Sequence, residues 1–243
     1  MKYTLITSCL NSINTIERTI NSVILQQILP LQYIFVDGGS EDGTIDLIIS
    51  KKNIMESLGI KTLIIHQKTK GGIYESWNLA LKQIDIKSDY IFILNSDDWY
   101  YNYTIQYVSD VFKKNKIDIL CGASLDYSNK KTSISYNKKL IFFPFLMPII
   151  HPACFIKKSV YNKLMLFNPK YRVSGDYDFL YRAYKNKFKF KFSKKILVNR
   201  LMGGYADSNK NKARHETYRI GCEHSKFIFL PLLSYILRYL LKR

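Results

Sequence analysis

The apolar run Tyr90-Ile91-Phe92-Ile93-Leu94 stops at Asn95-Ser96-Asp97-Asp98. A short segment that is apolar at every position reads as a strand buried on both faces, so the two carboxylates stand at its carboxyl end, where open α/β sheets gather ligands. Adjacent carboxylates repel unless a cation lies beside or between them. A divalent ion that also bridges phosphate oxygens meets that need. Taken alone, Ser-Asp-Asp is more readily the sequence of a solvated turn. A second acid shifts the balance, because Tyr33-Ile34-Phe35-Val36 ends at Asp37-Gly38-Gly39. The glycines let backbone approach a ligand or take positive φ, and the carboxylate can accept from ribose hydroxyls or a base N–H. Two strand-end acids in one sheet make a nucleoside diphosphate with a metal ion a more economical reading than two turns. No G-x-G-x-x-G follows the first strand, which argues against a nicotinamide cofactor.

The elements that must position these acids alternate. Tyr3 to Ser8 reads as a strand, followed by a loop around Asn11 and a helix with Ile16, Ile20, Val23 and Ile24 at helical spacing. Asn14 is expected to cap that helix, with Glu17 reaching back. The unit repeats with the Tyr33 strand and a helix through Ile45, Ile48 and Ile49, then with Thr62 to His66 and a helix over 73–84. Such alternation implies right-handed βαβ crossovers and a mostly parallel sheet flanked by helices, with the loops at Asn11, Asp37, Lys68–Gly72 and Asp97 opening on one edge. Beyond Trp99 the pattern predicts a helix over 108–114, a strand over 118–125, a polar hairpin over 127–139, and an irregular wall punctuated by Pro144, Pro148 and Pro152. A helix starts near Ser174-Gly175-Asp176. The alternation Lys187-Phe188-Lys189-Phe190-Lys191-Phe192 reads as a half-buried strand with its phenylalanines inward.

The chain has 243 residues and globular proportions, 47% hydrophobic and 23% charged, but 37 Lys+Arg face 19 Asp+Glu for a net charge of +18. That excess predicts attraction to an anionic partner. Inward phenylalanines cannot stack on bases, so nucleic acid is not expected. Arg238, Lys242 and Arg243 beside Leu237, Leu240 and Leu241 suit an anionic membrane surface instead. No signal peptide opens the sequence, the four scattered cysteines have no metal-ligand spacing, and a reduced cytoplasmic setting is expected. The apolar tail from Phe227 is broken by Pro231 and Ser234, so it reads as lying on a bilayer and not crossing it.

The blocks Ile34-Phe35-Val36-Asp37-Gly38-Gly39-Ser40-Glu41-Asp42-Gly43-Thr44, Gly72-Ile73-Tyr74-Glu75-Ser76-Trp77-Asn78, Leu94-Asn95-Ser96-Asp97-Asp98, His151-Pro152-Ala153-Cys154-Phe155 and Gly175-Asp176-Tyr177-Asp178-Phe179 follow one another as in family 2 glycosyltransferases, which this chain resembles over about residues 2–204. The resemblance implies a GT-A fold, a nucleotide-sugar donor such as a UDP-sugar, Mg²⁺ or Mn²⁺, and inversion at the transferred sugar. It implies a catalytic domain over 1–204 in which 1–100 binds the nucleotide and 101–204 holds the acceptor, while the charge of the tail makes 205–243 a basic, membrane-proximal segment. Carried over residue by residue, the first loop (Thr7 and Asn11) and Asp37 hold base and ribose, Asp98 binds the metal, Asp97 serves ribose or metal waters, and Asp176 is the catalytic base. His215 is a candidate further metal ligand from a C-terminal loop, and His151 a candidate acceptor-site residue. The departures are Asn95 and Glu75 at positions where Asp is frequent, Lys70 for an acid, and Gly175 for a Glu.

These residue types suit the implied chemistry. Displacing a nucleoside diphosphate builds negative charge on phosphate, which a cation stabilises, while a carboxylate takes the proton of the incoming hydroxyl. Asp176 and Asp178, two apart on a helix, point differently, and Asp176 lies nearer the helix start. Lys68 and Lys70 are candidates to neutralise diphosphate. Many bacterial members of the family build surface polysaccharides, and membrane attraction makes a glycan on a polyprenyl diphosphate, at the inner face of the cytoplasmic membrane, the expected acceptor. The rival readings are a nucleotidyltransferase, for which the Gly-rich basic loop is missing, and a non-catalytic basic module on membrane or nucleic acid.

Overall fold

The computed structural model describes residues 1–240 apart from 70, 129, 130, 205–207 and 228. The first half alternates as the periodicity demands: β1 (Tyr3–Cys9), α1 (Ile13–Ile24), β2 (Gln32–Asp37), α2 (Thr44–Ser57), β3 (Lys61–His66), α3 (Ile73–Leu81) and β4 (Tyr90–Ile93). These four strands pair in parallel in the order β3-β2-β1-β4. Every residue of β2 is buried, which requires cover on both faces. Side-chain alternation supplies it. Tyr33 and Phe35 pack with Ile16, Ile20, Val23 and Ile48 on one face, whereas Ile34 and Val36 pack with Tyr74, Trp77 and Leu180 on the other.

The second half makes the sheet mixed. β5 (Trp99–Tyr100), α4 (Thr104–Lys114), β6 (Ile119–Tyr127) and β7 (Thr132–Ser135) lead into an irregular proline-bearing wall with short 3₁₀ turns at Leu140–Phe142 and His151–Ala153. Next come β8 (Cys154–Lys157), α5 (Lys158–Leu164), α6 (Gly175–Lys185), β9 (Phe190–Leu201), α7 (Lys210–His224) and α8 (Phe229–Leu240). β8 runs antiparallel to β4 and β6, β9 runs parallel to β6, and β5 closes antiparallel on β9. The parallel character is thus confined to β1–β4 and the β6–β9 pair.

Three local expectations are corrected. The N-cap of α1 is Ser12, not Asn14, and Glu17 does not reach back but pairs with Lys51 at 2.6 Å. The Phe/Lys alternation leads into a longer strand, and Phe192 is 40% exposed, so only Phe188 and Phe190 turn toward the core. Two helices had no apolar signature. α5 is only seven residues long, and α7 is polar along most of its length, with Glu216, Ile220 and Gly221 its buried positions.

Candidate active site

Parallel pairing sets where the chemistry gathers. Cys9, Asp37 and His66 are register partners at the carboxyl ends of β1, β2 and β3, and Leu94 donates its N–H to the Ile6 carbonyl at 3.0 Å as β4 ends. The loops that follow therefore share one edge, and they are stitched together. Asn11, at φ 49°, donates its N–H to Ser40 Oγ at 2.9 Å, and its side-chain oxygen accepts the Glu41 N–H at 2.9 Å. The Ser12 N–H reaches Thr44 Oγ1 at 2.7 Å, and Ser12 Oγ lies 2.9 Å from Ser96 Oγ. Thr19 Oγ1 lies 2.7 Å from the Asp98 carbonyl oxygen. The first loop thus joins the Asp37 loop to the Asp97 loop.

Two of the expected nucleotide contacts, Thr7 and Asp37, are hydrogen-bonded within the chain. Thr7 is fully buried within the sheet and shares a 3.0 Å hydrogen bond with the Tyr33 hydroxyl. Asp37 is 2% exposed, and its carboxylate accepts the N–H groups of Gly39 and Ser40 at 3.0 and 3.1 Å and the Ser40 hydroxyl at 2.6 Å. It shapes its loop from within, with Gly39 at φ 94° completing the turn. Cys9 Sγ sits 3.9 Å from the same carboxylate, and burial, then Asp37, pushes its thiol up to about 12.

Asp98 is different. It is 1% exposed, Oδ2 accepts the Asn95 side-chain N–H at 3.0 Å, and Oδ1 is buried without a hydrogen-bond partner. Burial, reinforced by the neighbouring Asp97 charge, holds its carboxyl well above the ordinary range, and burial raises Asp97 as well. Two desolvated acids and an orphaned acceptor are the donor set a hard divalent cation takes. Nearby guanidinium groups soften the site without closing it. Arg18 stacks over the Trp99 ring with 3.5 Å to its centroid, and Arg200 forks onto Asp126 at 3.1 and 2.7 Å while its charge still favours ionisation of both acids. A Cβ on Gly204 would stand 3.6 Å from Asp97 Oδ2, so the chain after β9 lines this site.

Asp176, half-buried, is the second residue of α6. Its Oδ1 accepts the Tyr177 N–H at 2.9 Å and lies 2.9 Å from the hydroxyl of Tyr74, the second residue of α3, which follows the β3 loop. Its charge is felt at His151 and at Cys154, the first residue of β8, whose neighbour Phe155 pairs with Phe92 of β4. β8 begins where β4 ends, so Asp176 belongs to the edge that carries Asp98. Gly175 has a steric reason to lack a side chain, since a Cβ there would meet the Tyr74 ring at 2.8 Å. Asp178 is not solvated. It is 2% exposed and pairs with Arg182 at 2.9 Å and His224 at 2.8 Å. Burial pushes its carboxyl up, but the His224 and Arg182 interactions outweigh that and hold it below the usual range.

The remaining candidates scatter. His151 is 5% exposed and stacks on Trp77 with centroids 4.9 Å apart, a core position where burial lowers its pKa. His215 stands on α7, exposed, and not in a loop. Among the described residues the one group of three side chains spaced to hold a metal is Asp178, Glu223 and His224, away from Asp98 and tied up by Lys170 and Arg182. Lys68 is exposed, and Lys70 lies outside the described residues. Sequence reasoning missed Arg18, Arg200 and Glu216. Only the third had a sequence signal, an acid within a basic polar stretch, and nothing in the stretch tells what the acid meets.

The sequence from residue 4 to residue 196 matches the model of glycosyl transferase family 2. The PGL/p-HBAD biosynthesis glycosyltransferase of Mycobacterium tuberculosis is 26% identical over 188 residues, 76% of this chain and 70% of that one. An uncharacterized glycosyltransferase of Rickettsia typhi is 27% identical over 191 residues, 71% and 55% of the two chains. Among solved structures, S. aureus TarS 1-349 in complex with UDP-GlcNAc superposes with TM-score 0.72 at 18% identity, covering 97% of this chain and 70% of TarS. The mannosyltransferase PcManGT from Pyrobaculum calidifontis, in complex with GDP-Man and Mn2+, gives 0.71 at 14% identity, covering 97% and 69%. The fold is GT-A.

Proposed function

The chain belongs to glycosyl transferase family 2, and we propose that it is an inverting, metal-dependent hexosyltransferase. The observation that carries this reading is the orphaned Oδ1 of Asp98, buried on the sheet edge that also presents Asp176. Asp98 would hold Mg²⁺ or Mn²⁺, with Asp97 on its waters or on the ribose, and the cation would supply charge stabilisation to the departing diphosphate. The acceptor hydroxyl oxygen bonds to the anomeric carbon as the bond from that carbon to the phosphate oxygen breaks. Its proton passes to Asp176, and one direct displacement inverts the centre. The Asn11 loop, which borders both acid loops, frames the nucleoside. Lys68 and Arg18, exposed at the rim, add positive field for an anionic donor.

The donor is a nucleotide-diphosphate sugar, with UDP-hexoses the first to test since TarS is solved with UDP-GlcNAc. The acceptor is a glycan, and two features favour one carried on polyprenyl diphosphate at the inner face of the cytoplasmic membrane. The net charge is +18, and α8 exposes Phe229, Leu233, Ile236, Leu237 and Leu240, between 46% and 70% accessible. No helix among the described residues is long and apolar enough to cross a membrane. Leu241, Lys242 and Arg243, part of the expected basic tail, lie outside the described residues. The test is a panel of nucleotide sugars with Mg²⁺ or Mn²⁺, scored by donor hydrolysis and by thermal stabilisation. Metal-dependent response to one donor is expected, and no response to any donor refutes the reading.

A further inference from the structure

The family match ends at residue 196, yet a side chain beyond it reaches the segment that carries Asp176. We infer that Glu216, on α7, is a positioning residue for Asp176, an inference that rests on the reading of Asp176 as the base. Glu216 is 6% exposed. Its Oε1 accepts the Arg172 N–H at 2.9 Å, and its Oε2 accepts those of Val173 at 2.8 Å and Ser174 at 2.9 Å. Three consecutive N–H groups converge on one buried carboxylate just before α6 begins. Such charge-assisted bonds are roughly twice as strong as neutral ones, and the amino end of α6 favours a negative group there.

This arrangement fixes more than a loop. Ser174, the N-cap of α6, makes no side-chain capping bond, so the orientation of the entering backbone is set from outside the helix. The Val173–Ser174 peptide is gripped from both sides, its N–H by Glu216 and its carbonyl by the Tyr74 hydroxyl at 2.9 Å. That hydroxyl is equally 2.9 Å from Asp176 Oδ1 and has one proton to offer. If the peptide turns, the Val173 carbonyl leaves, the Tyr74 hydroxyl donates to Asp176 alone, and the acid is displaced. Gly175 leaves no slack, because anything larger strikes Tyr74. Misplacement of a reacting group by about 1 Å can cost on the order of 100-fold in rate, so a contact this close to the acid has kinetic weight.

The alternative is that Glu216 only docks α7. His224, at the far end of the same helix, supplies the control because it also pins α7, through Asp178. The full chain carrying Glu216→Gln is compared with Glu216→Asp, His224→Gln and Asp176→Asn. Readouts are sugar transfer, affinity for UDP with Mn²⁺, and Tm. Glu216→Gln is expected to lower kcat by about ten-fold or more while leaving UDP–Mn²⁺ affinity within about two-fold, with partial recovery in Glu216→Asp. If His224→Gln, at an equal loss of Tm, loses as much kcat, or if UDP–Mn²⁺ affinity falls in step with kcat, the inference is overturned. If neither Glu216 variant folds, the residue is a folding determinant and the inference is likewise overturned. Asp176→Asn separates the two readings. Transfer retained there removes the base assignment itself, whereas transfer lost there but intact in Glu216→Gln removes only the positioning role.

Discussion

Replacing Asp98 by Asn should make the free protein more stable and the enzyme inactive. The stability half follows from a carboxylate that is 1% exposed, has one oxygen without a partner, and adjoins Asp97. A buried polar group left unsatisfied costs about 1–3 kcal/mol, more when charged. The amide removes the like-charge repulsion and much of the desolvation cost. A gain of about 1–3 kcal/mol near neutral pH corresponds to roughly 2–4 °C in Tm per kcal/mol for a chain of this size. The linkage sign agrees, because an acid raised in the folded state gives stability present at low pH and lost as pH rises through its folded value. The activity half has the opposite sign, since the amide is a poor ligand for a hard cation and the leaving diphosphate keeps its charge, a loss on the order of 10²–10³ in kcat. The assay is differential scanning fluorimetry with and without Mn²⁺ and UDP, run beside turnover. Wild type should gain Tm from the pair of ligands by mass action, and the variant should start higher and gain nothing. A variant less stable than wild type, or one keeping its Mn²⁺-dependent shift, refutes the assignment of this buried carboxylate as the cation ligand.

Gly175→Ala should cost about 1–3 kcal/mol by overpacking and lower kcat, because Tyr74 is wedged against Trp77 and Phe167 and cannot yield; thermal melts and turnover check it. Asp178→Asn should destabilise by about 3 kcal/mol near neutral pH. That difference should shrink as pH drops below about 4 in urea titrations, because a lowered carboxyl contributes above the unfolded value and loses that contribution as pH falls through the folded one. Leu233→Asp with Leu237→Asp, both on the exposed face of α8, should abolish co-sedimentation with anionic vesicles while UDP–Mn²⁺ binding is unchanged; retained sedimentation would dismiss the helix as the docking surface.

What could be read from the sequence follows the range of the forces involved. β1–β4 and their helices were legible because each strand is apolar throughout and each helix repeats its apolar residues at its own period. The place of Asp98 just past β4 was legible for the same reason, since a strand that stops at a carboxylate announces its own edge. The hydrogen bonds that Asp37 accepts from its own turn were not, because they depend on a few backbone angles such as the 94° φ at Gly39. The hydrogen bond of Thr7 to the Tyr33 hydroxyl was not legible either, because it joins side chains on two strands 26 residues apart. α7 was invisible as a helix because its partners, the N–H groups of residues 172–174 and Asp178, lie about forty residues away and leave no local period.

The chain holds its own cations close to Asp97 and Asp98 without letting them neutralise the pair. Arg200 reaches the neighbourhood, but Asp126, 5% exposed and also hydrogen-bonded by Ser124 and Ser135, takes its guanidinium in a two-pronged grip. Arg18 lies flat on Trp99 and reaches the Asp97 carbonyl oxygen at 3.5 Å, not its carboxylate. Among the described residues neither acid has a salt bridge, in a protein where basic residues outnumber acidic ones 37 to 19. On a surface so rich in lysine, an acid pair without a bound partner requires that basic side chains be kept occupied elsewhere. A permanent Arg bridge would neutralise Asp98, yet on the proposed reading it would block an exchangeable divalent ion and a departing diphosphate. On the proposed reading, cation and nucleotide would meet two carboxylates that form no salt bridge among the described residues, and the Asp126–Arg200 fork is what keeps Arg200 off them.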